Sequence, residues 1–426
     1  AIAVKRVISN KGKNTPGIDG VVWKTVKSKE DAIRNLETRG FIASPLRRTY
    51  IEKFGKKEKR PLGIPTMSDR AMQALQLLGI EPISETKADT VSFGFRRHRS
   101  AHDAKEYAFS ILCRKDSPQW ILEGDIKGCF DNISHQWLIE NIPMDKRILR
   151  QFIKSGFVYK NNLYPTNVGT PQGGIISPTL ANITLDGMEE LLKQAYWSNT
   201  KGTVSVKHNR FKVHLIKYAD DFVVTASNSE TLETIKEMLK DFLMKRGLIL
   251  SDEKTKITHI QDGFDFLGWN FRKYKDKLII KPSEKSIRKV KQTVSKIIKA
   301  NRTSTQESLI YQLNQVIKGW AEYHHTVCAK ETFSKIDHCI WEMLWKWSKR
   351  RHPNKCKSWI VKKYWKNHKG RSWSFMSDRN ILFYMNDMSI LRNPQLRLNT
   401  NPFLDLEYFE KREKKTKIQK NKSHEV

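Results

Sequence analysis

The stretch that decides the fold is residues 216–222, IKYADDF, in which apolar residues flank two adjacent carboxylates. Two apolar runs on either side of a short polar step are typical of two β-strands joined by a tight turn. Asp220 and Asp221 repel each other at that turn, and a turn with no other task favours Asn-Gly or Asp-Gly. The segment therefore predicts a β-hairpin whose acidic tip has a cationic partner. An exposed turn that happens to hold two acids is the alternative.

A third carboxylate, Asp125, ends another apolar run at residues 120–125, WILEGD. If this strand lies beside the hairpin, Asp125 meets Asp220 and Asp221. Carboxylate oxygens are the ligands that Mg²⁺ prefers, and a pair of such ions can activate a hydroxyl and stabilise a leaving pyrophosphate. The three residues are therefore predicted to form a two-metal site. For Asp125 alone, capping of the following helix is the competing interpretation.

The overall charge points to a polyanionic partner. The chain of 426 residues has 78 Lys and Arg against 45 Asp and Glu, a net charge of +33. Cations in this excess suit a long track of phosphates, whereas no apolar run approaches the roughly 20 residues that a membrane span needs. Nucleic acid is favoured over membrane, and a merely cationic or ribosomal-type protein is the alternative.

The cysteines favour an intracellular protein. Five are present, and they form no CxxC pair that would indicate a zinc ribbon or a disulfide framework. No secretory signal precedes the first helical pattern. The expected location is intracellular and cytoplasmic, with an organelle not excluded.

Hydrophobic periodicity divides the chain into regions of different type. Short β-rich runs separated by helices between about residues 118 and 285 predict an α+β domain with an antiparallel sheet. Aromatic and basic residues alternate over 352–410, which suits stacking and phosphate contact. The lysine-rich end, 411–426, is expected to be a solvated, mobile tail. Basic helices are predicted over residues 287–298, 309–320 and 336–347.

Several segments resemble, in order, the sequence blocks of group II intron reverse transcriptases. Tyr218-Ala219-Asp220-Asp221 resembles the catalytic turn of that family, and Asp125 resembles its first metal-binding aspartate. The resemblance covers roughly residues 5 to 410. Further blocks are RPLGIPT at 60–66, SFGFR at 92–96, AHDA at 101–104, GTPQGG at 169–174, SP at 177–178, FDFLGW at 264–269 and KGWAEY at 318–323.

The resemblance implies a right-hand polymerase followed by an α-helical thumb. The implied regions are fingers at 1–110, palm at 111–285, a thumb or maturase domain at 286–365, a DNA-binding region at 366–410 and the basic tail at 411–426. The implied activity is RNA-directed DNA synthesis by a group II intron-encoded protein that binds its intron RNA, assists splicing and primes copying at target DNA. The implied partners are an RNA template with a DNA primer, dNTP and two Mg²⁺ ions, for which Mn²⁺ is a possible substitute.

The family also assigns roles around the acidic turn. Asp125 and Asp220 are implied metal ligands, with the Ile126 carbonyl as a further ligand and Asp221 required beside them. Phe130 is at the position of a steric gate, where its ring would crowd a ribose 2′-hydroxyl and so favour dNTP. Core packing is the competing interpretation for that ring.

Nucleotide and primer contacts are implied for other residues. Lys53 and Arg60 match finger residues that hold the incoming triphosphate, and Gln172 matches a nucleotide-site glutamine. Solvation explains Lys53 nearly as well, and a structural turn is the alternative for Gln172. Contacts with template and primer are implied for Lys254, Gly268 and Trp269.

Two other functions compete with this interpretation. A maturase that only assists splicing has no need of three mutually repelling carboxylates. A retron or CRISPR-associated reverse transcriptase is disfavoured by the long basic helical region after residue 285 and by Gly319-Trp320.

The HNH endonuclease of many family members carries cysteine pairs, which this sequence lacks, so cleavage of a second DNA strand is not predicted.

Overall fold

A computed structural model describes residues 1–52, 55 and 58–424, with side chains as far as residue 418. The chain divides into two compact units. Unit 1 comprises Ala1–His259 and Leu396–Phe409, and unit 2 comprises Ile260–Gln395 and Glu410–Val426. Within the described residues, every helix is too short or too polar to span a bilayer.

Unit 1 mixes helices and strands, as the sequence predicted. Its strands are β1 Leu46–Glu52, β2 Lys59–Ile64, β3 Trp120–Asp125, β4 Phe157–Tyr159, β5 Asn162–Tyr164, β6 His214–Tyr218, β7 Asp221–Ala226 and β8 Lys256–His259. Its helices are α1 Ile2–Ser9, α2 Val26–Arg34, α3 Met67–Lys87, α4 Ala101–Leu112, α5 Cys129–Asn132, α6 His135–Asn141, α7 Lys146–Lys154, α8 Ser177–Leu185, α9 Met188–Tyr196 and α10 Ser229–Met244.

The sheet that carries the acidic turn has the strand order β6-β7-β3-β8, with antiparallel neighbours. Residues 222–226 of β7 are all buried, because apolar and β-branched side chains cover both faces of the strand. The predicted antiparallel sheet and the hairpin of β6 and β7 are confirmed.

A second sheet in unit 1 has the order β2-β1-β4-β5, in which β1 and β4 run parallel. Its neighbouring helices begin at side chains that accept backbone N–H groups. Thr66 accepts from Asp69 at the start of α3, and Ser100 forms a capping box with Asp103 at the start of α4. These caps satisfy amides that have no partner within the helix.

Unit 2 contains the basic helices. Buried Val290, Val294 and Ile298 follow one face of α11 and confirm the helical period seen in the sequence. The elements are β9 Phe264–Phe266, β10 Trp269–Tyr274, β11 Lys277–Pro282, α11 Glu284–Ala300, α12 Gln306–His324, α13 Lys330–Arg351, α14 Lys357–Tyr364, β12 Trp365–His368 and β13 Arg371–Phe375.

The lysine-rich end, predicted to be a solvated, mobile tail, continues the helix α15, Leu406–His424. Lys, Arg, Glu and Gln are strong helix formers. Glu410 precedes Lys414 and Glu413 precedes Lys417 by four residues, a spacing that stabilises a helix. The exposure of most described side chains in this segment agrees with the predicted solvation.

Candidate active site

The three predicted carboxylates lie at one end of the β6-β7-β3 sheet. Asp125, the last residue of β3, stands directly opposite Asp221, the first residue of β7. Directly opposed residues of antiparallel strands lie about 4.5–5.5 Å apart between Cα atoms. Asp220 precedes Asp221 in the turn, so the strand register brings all three acids to the same edge.

A left-handed backbone residue and a close contact between a glycine and an aromatic ring shape this edge. Ala219 has a φ of +56°, a left-handed conformation that is costly for a residue with a side chain. Across the strands, Gly124 pairs with Phe222, whose ring would lie 2.1 Å from a Cβ at position 124. The glycine therefore lets the Phe222 ring pack flat against β3 beside Asp125.

Asp125 has a cationic partner. The Nζ of Lys254 donates to Oδ2 of Asp125 at 2.6 Å, and this hydrogen bond raises the pKa of Lys254. The N–H of Ser251 donates to the backbone carbonyl of Asp125 at 2.7 Å, which ties the loop that carries Lys254 to the end of β3. The structure therefore brings predicted residue Lys254 directly to the acidic edge.

Asp220 is half-buried, whereas Asp221 is exposed. Burial raises its pKa, and the negative charge of Asp125 raises it further, whereas Arg60 and Lys254 lower it. The predicted finger residue Arg60, exposed on β2, is thus close enough to act electrostatically on Asp220. Two acids and two bases form one local charge network.

Phe130 is half-buried in α5 and lies beside an exposed ring. Its ring centroid is 6.3 Å from that of Phe95 in an edge-to-face arrangement, and Phe95 is 55% exposed. The backbone carbonyl of Phe130 accepts the N–H of Thr170 at 2.7 Å. The Phe130 ring is therefore partly accessible, and its role as a steric gate stays a prediction.

Gln172 links the loop 169–174 to two neighbouring elements. Its Nε2 donates to Oδ2 of Asp131 at 3.0 Å, and its backbone carbonyl accepts the N–H of Gly63 on β2 at 2.8 Å. The same loop binds the Phe130 carbonyl through Thr170. Gln172, Phe130 and the strand of Arg60 are therefore hydrogen-bonded into one surface.

The structure adds no support for the predicted roles of two residues of unit 1. Lys53 lies outside the described residues. Ile126 is buried and forms an isolated antiparallel bridge with Leu250, and its assignment as a carbonyl ligand stays a prediction.

Gly268 and Trp269 belong to unit 2. Gly268 has a φ of +82°, and its carbonyl accepts the N–H of Ser283 at 2.9 Å. Trp269 is fully buried and stacks on Tyr323 with ring centroids 4.5 Å apart, while the Tyr323 hydroxyl donates to the Leu267 carbonyl at 2.8 Å. The side chain of Trp269 packs within unit 2, so any contact with a primer at this position falls to the backbone of the turn.

Comparison with known families assigns the segment that carries this site to a family. Residues 51–271, which include the three carboxylates, match the family described as reverse transcriptase (RNA-dependent DNA polymerase). The chain belongs to the reverse transcriptase family. Residues 287–365 match the maturase-specific domain of group II introns, and residues 1–36 match the N-terminal domain of reverse transcriptase. The resemblance to group II intron reverse transcriptases is therefore confirmed.

Relatives of this reverse transcriptase include intron-encoded proteins. It is 32% identical over 331 residues to the group II intron-encoded protein LtrA of Lactococcus lactis subsp. cremoris, covering 64% of this chain and 54% of LtrA. It is 35% identical over 301 residues to protein YkfC of Escherichia coli K12, covering 63% of this chain and 78% of YkfC. Among solved structures it is similar to telomerase from Candida albicans, with a TM-score of 0.45 and 13% identity over 86% of this chain and 66% of that chain.

The acidic edge of this reverse transcriptase offers the donor chemistry that divalent cations need. Asp125 already attracts a cation, the ammonium of Lys254, and the opposed Asp221 supplies a second carboxylate. In the part of the chain that the structure describes, no three His, Cys, Asp or Glu side chains converge into a ready cage. The carboxylates fit Mg²⁺ by ligand type, and a metal site at this edge stays a prediction.

Sequence reasoning missed two participants of this site. Asp131 holds the Gln172 amide, and Phe95 flanks the Phe130 ring. Phe95 stands inside the quoted motif at 92–96 and Asp131 follows the run that ends at Asp125, but their partners are about 40 positions away. Phe95 carries a usable signal after the fact, because its φ of +59° is unusual for an aromatic residue.

Proposed function

We propose that this protein is an RNA-directed DNA polymerase whose reaction takes place at Asp125, Asp220 and Asp221. The observation that carries the proposal is the cross-strand register of Asp125 and Asp221, with Asp220 beside them in the turn. Strands that are about 100 residues apart in sequence bring three acids together within reach of two cations, Arg60 and Lys254. A merely structural turn would not need this cluster.

Asp125, Asp220 and Asp221, with the Ile126 carbonyl, would hold two Mg²⁺ ions. Bound there, the ions would lower the pKa of a primer 3′-hydroxyl and neutralise charge on the leaving pyrophosphate; Mn²⁺ has the same ligand preferences. The raised pKa of Asp220 reflects the burial of its negative charge next to Asp125, which Arg60 and Lys254 offset only in part. A divalent cation would relieve that electrostatic cost, which supports these residues as the ligands.

The residues around the acids would select the nucleotide. Arg60, exposed on β2, would bind the triphosphate of the incoming dNTP, with Lys53 proposed for the same task. Gln172, fixed by Asp131 and Gly63, would present the loop 169–174 to the nucleotide. The Phe130 ring would crowd a ribose 2′-hydroxyl and so exclude ribonucleotides.

We further propose that the protein binds group II intron RNA, assists its splicing and copies it from a primer at target DNA. The match of residues 287–365 to the maturase-specific domain and the net charge of +33 support an RNA partner. Gly268, the Trp269 backbone and Lys254 are the proposed contacts with template and primer. This chain spans about half of LtrA, so these activities are proposed for it from the relative's printed name and not carried over whole. A bacterial cytoplasmic location is proposed on the same ground.

The test replaces the carboxylate whose pKa is raised by burial. We expect Asp220→Asn to abolish primer extension with dNTP and Mg²⁺ on an RNA template while leaving intron RNA binding within about twofold. Asp31→Asn, which removes an exposed carboxylate on α2, is the matched control and should retain full extension. Undiminished extension by Asp220→Asn would defeat the assignment.

A splicing assay with the same variants separates the remaining alternative. A protein that only assists splicing would show no extension in the wild type and unchanged splicing in Asp220→Asn. For an intron-encoded polymerase, wild-type extension is lost in Asp220→Asn while splicing is retained.

A further inference from the structure

A buried lysine lies directly behind the acidic turn. Lys217 is the penultimate residue of β6, and its side chain has no solvent exposure. Its Nζ donates to Oδ2 of Asp89 at 2.8 Å, to Oδ1 of Asp186 at 3.0 Å and to the Leu185 carbonyl at 2.8 Å. All three donor positions of the ammonium are therefore used, by acceptors from two segments distant in sequence.

The electrostatics of this cluster favour a charged lysine. Burial by itself lowers the pKa of Lys217, but Asp186 and Asp89 together raise it above its ordinary value. Burial raises the pKa of Asp186, which Lys217 and Arg96 oppose. A buried ion cluster of this kind is a costly way to stabilise a fold, since an apolar side chain of similar volume often serves as well or better. Its directional hydrogen bonds fix a geometry that apolar packing does not.

The geometry that they fix is the edge of β6 next to the turn. Asp89 leads into residues 91–94, which run along β6: the N–H of Lys217 donates to the Val91 carbonyl at 3.0 Å, and the N–H of Phe93 donates to the Lys217 carbonyl at 2.9 Å. Residues 91–94 thus cover a strand edge that would otherwise expose unpaired backbone groups. Lys217 holds the same segment twice, through its backbone and through its ammonium.

Residues 91–94 end against the strained residue of the turn. A Cβ at Gly94 would lie 2.3 Å from the backbone N of Ala219, so Gly94 touches the backbone that has the left-handed φ. The Gly94 carbonyl accepts from Nδ2 of buried Asn182 at 2.9 Å, which holds it from the other side. A left-handed conformation at a non-glycine residue persists only where its surroundings enforce it. The contact with Gly94 supplies that constraint one residue before Asp220.

We propose that Lys217 is a positioning residue for the polymerase: its ammonium ties the segment 89–94 to β6, and Gly94 in turn holds Ala219 so that Asp220 stays at the acidic edge. Lys217 acts through the turn and touches no substrate. The inference rests on the proposed function for its effect on catalysis, but the tether itself is a property of the fold that can be measured separately.

The test removes the buried charges together, because a single neutral substitution would leave carboxylates without a counterion. The variant is Lys217→Met with Asp89→Asn and Asp186→Asn. We expect kcat for dNTP incorporation to fall at least tenfold while KM for dNTP changes less than twofold, since the binding surface at Gln172 is untouched. Hydrogen exchange of the backbone amides at positions 93 and 217 should accelerate at least tenfold.

A matched control neutralises another ion pair of unit 1. Arg6→Met with Glu81→Gln removes a pair at 2.5 Å that joins α1 to α3, together with the contact of exposed Arg97 to Glu81 at 2.8 Å. It should leave kcat and both exchange rates within twofold of wild type. The single variant Lys217→Arg keeps the charge and the donors. It should retain at least one fifth of wild-type kcat, which a general loss of packing at this buried position would not allow.

The outcomes distinguish the two proposals. A folded triple variant with kcat within twofold of wild type, or with unchanged amide exchange, overturns the positioning role. If the triple variant does not fold, Lys217→Arg decides, and a folded arginine variant that has lost more than nine tenths of kcat overturns it too. An inactive wild type defeats the proposed function instead, and the exchange rates then still decide whether Lys217 tethers the segment.

Discussion

The contact between Gly124 and Phe222 predicts that one added methyl group will disable the acidic edge. In Gly124→Ala the new Cβ would lie 2.1 Å from Cζ of Phe222, whose ring is buried. Ordinary van der Waals contact begins at 3.4 Å, so the ring or β3 must move by about 1.3 Å. Such overpacking costs about 1–3 kcal/mol of unfolding free energy.

The larger effect is expected on catalysis. Asp125 directly follows position 124, and Asp221 directly precedes Phe222. A movement of β3 or of the Phe222 ring by about 1 Å would therefore displace these opposed carboxylates relative to each other. Displacements of that size in an active site lower the reaction rate about 100-fold. Single-turnover primer extension measures the rate, and thermal unfolding measures the stability.

Two further variants make the test specific. Gly79→Ala adds a methyl group in α3, where nothing lies within 4 Å of the new Cβ; it should keep the wild-type rate and gain about 0.5–1 kcal/mol of stability. Adding Phe222→Ala to Gly124→Ala removes the clashing ring and should recover part of the rate, as contacting sites do not act additively. A wild-type rate in Gly124→Ala with intact folding would refute the reasoning.

Four shorter predictions follow from other observations. Phe130→Ala should raise ribonucleotide incorporation about 10- to 100-fold in competition assays, and unchanged discrimination would mean that the ring only packs. Lys254→Met removes the ammonium that competes with Mg²⁺ for Asp125. The Mg²⁺ concentration that gives half-maximal primer extension should therefore fall by up to about fivefold. A rise in that concentration would exclude competition between the two cations. Burial raises the pKa of Asp337 in unit 2 from 3.8 to about 6, so ionisation of this carboxyl lowers the free energy of unfolding. The Tm of the wild type, measured relative to that of Asp337→Asn, should therefore fall as pH rises from 4 through 6. Parallel Tm curves for the two proteins would contradict this. Affinity for intron RNA should drop steeply between 50 and 200 mM salt, by roughly 1,000-fold for six phosphate contacts, whereas a flat response would argue against a phosphate track.

Local pattern was enough to predict the elements of the candidate site. The acidic step at 220–221 between apolar runs predicted the hairpin, and helical periods predicted α11, α12 and α13, because both signals arise from residues only a few positions apart. At the lysine-rich end, amino-acid composition predicted solvation but not secondary structure. The charged residues that keep this segment solvated are also strong helix formers.

The sequence by itself determined which residues are candidates for the chemistry: three carboxylates, the cations predicted near them and a basic helical region suited to a polyanion. Only the tertiary structure decided that β3 lies between β7 and β8, which places Asp125 opposite Asp221, and that Lys217 is enclosed between Asp89 and Asp186. In sequence Lys217 is one polar residue in a strand, because its burial depends on partners 128 and 31 positions away. Strand order and buried ion clusters are set by contacts between distant segments, and no local period or propensity encodes them.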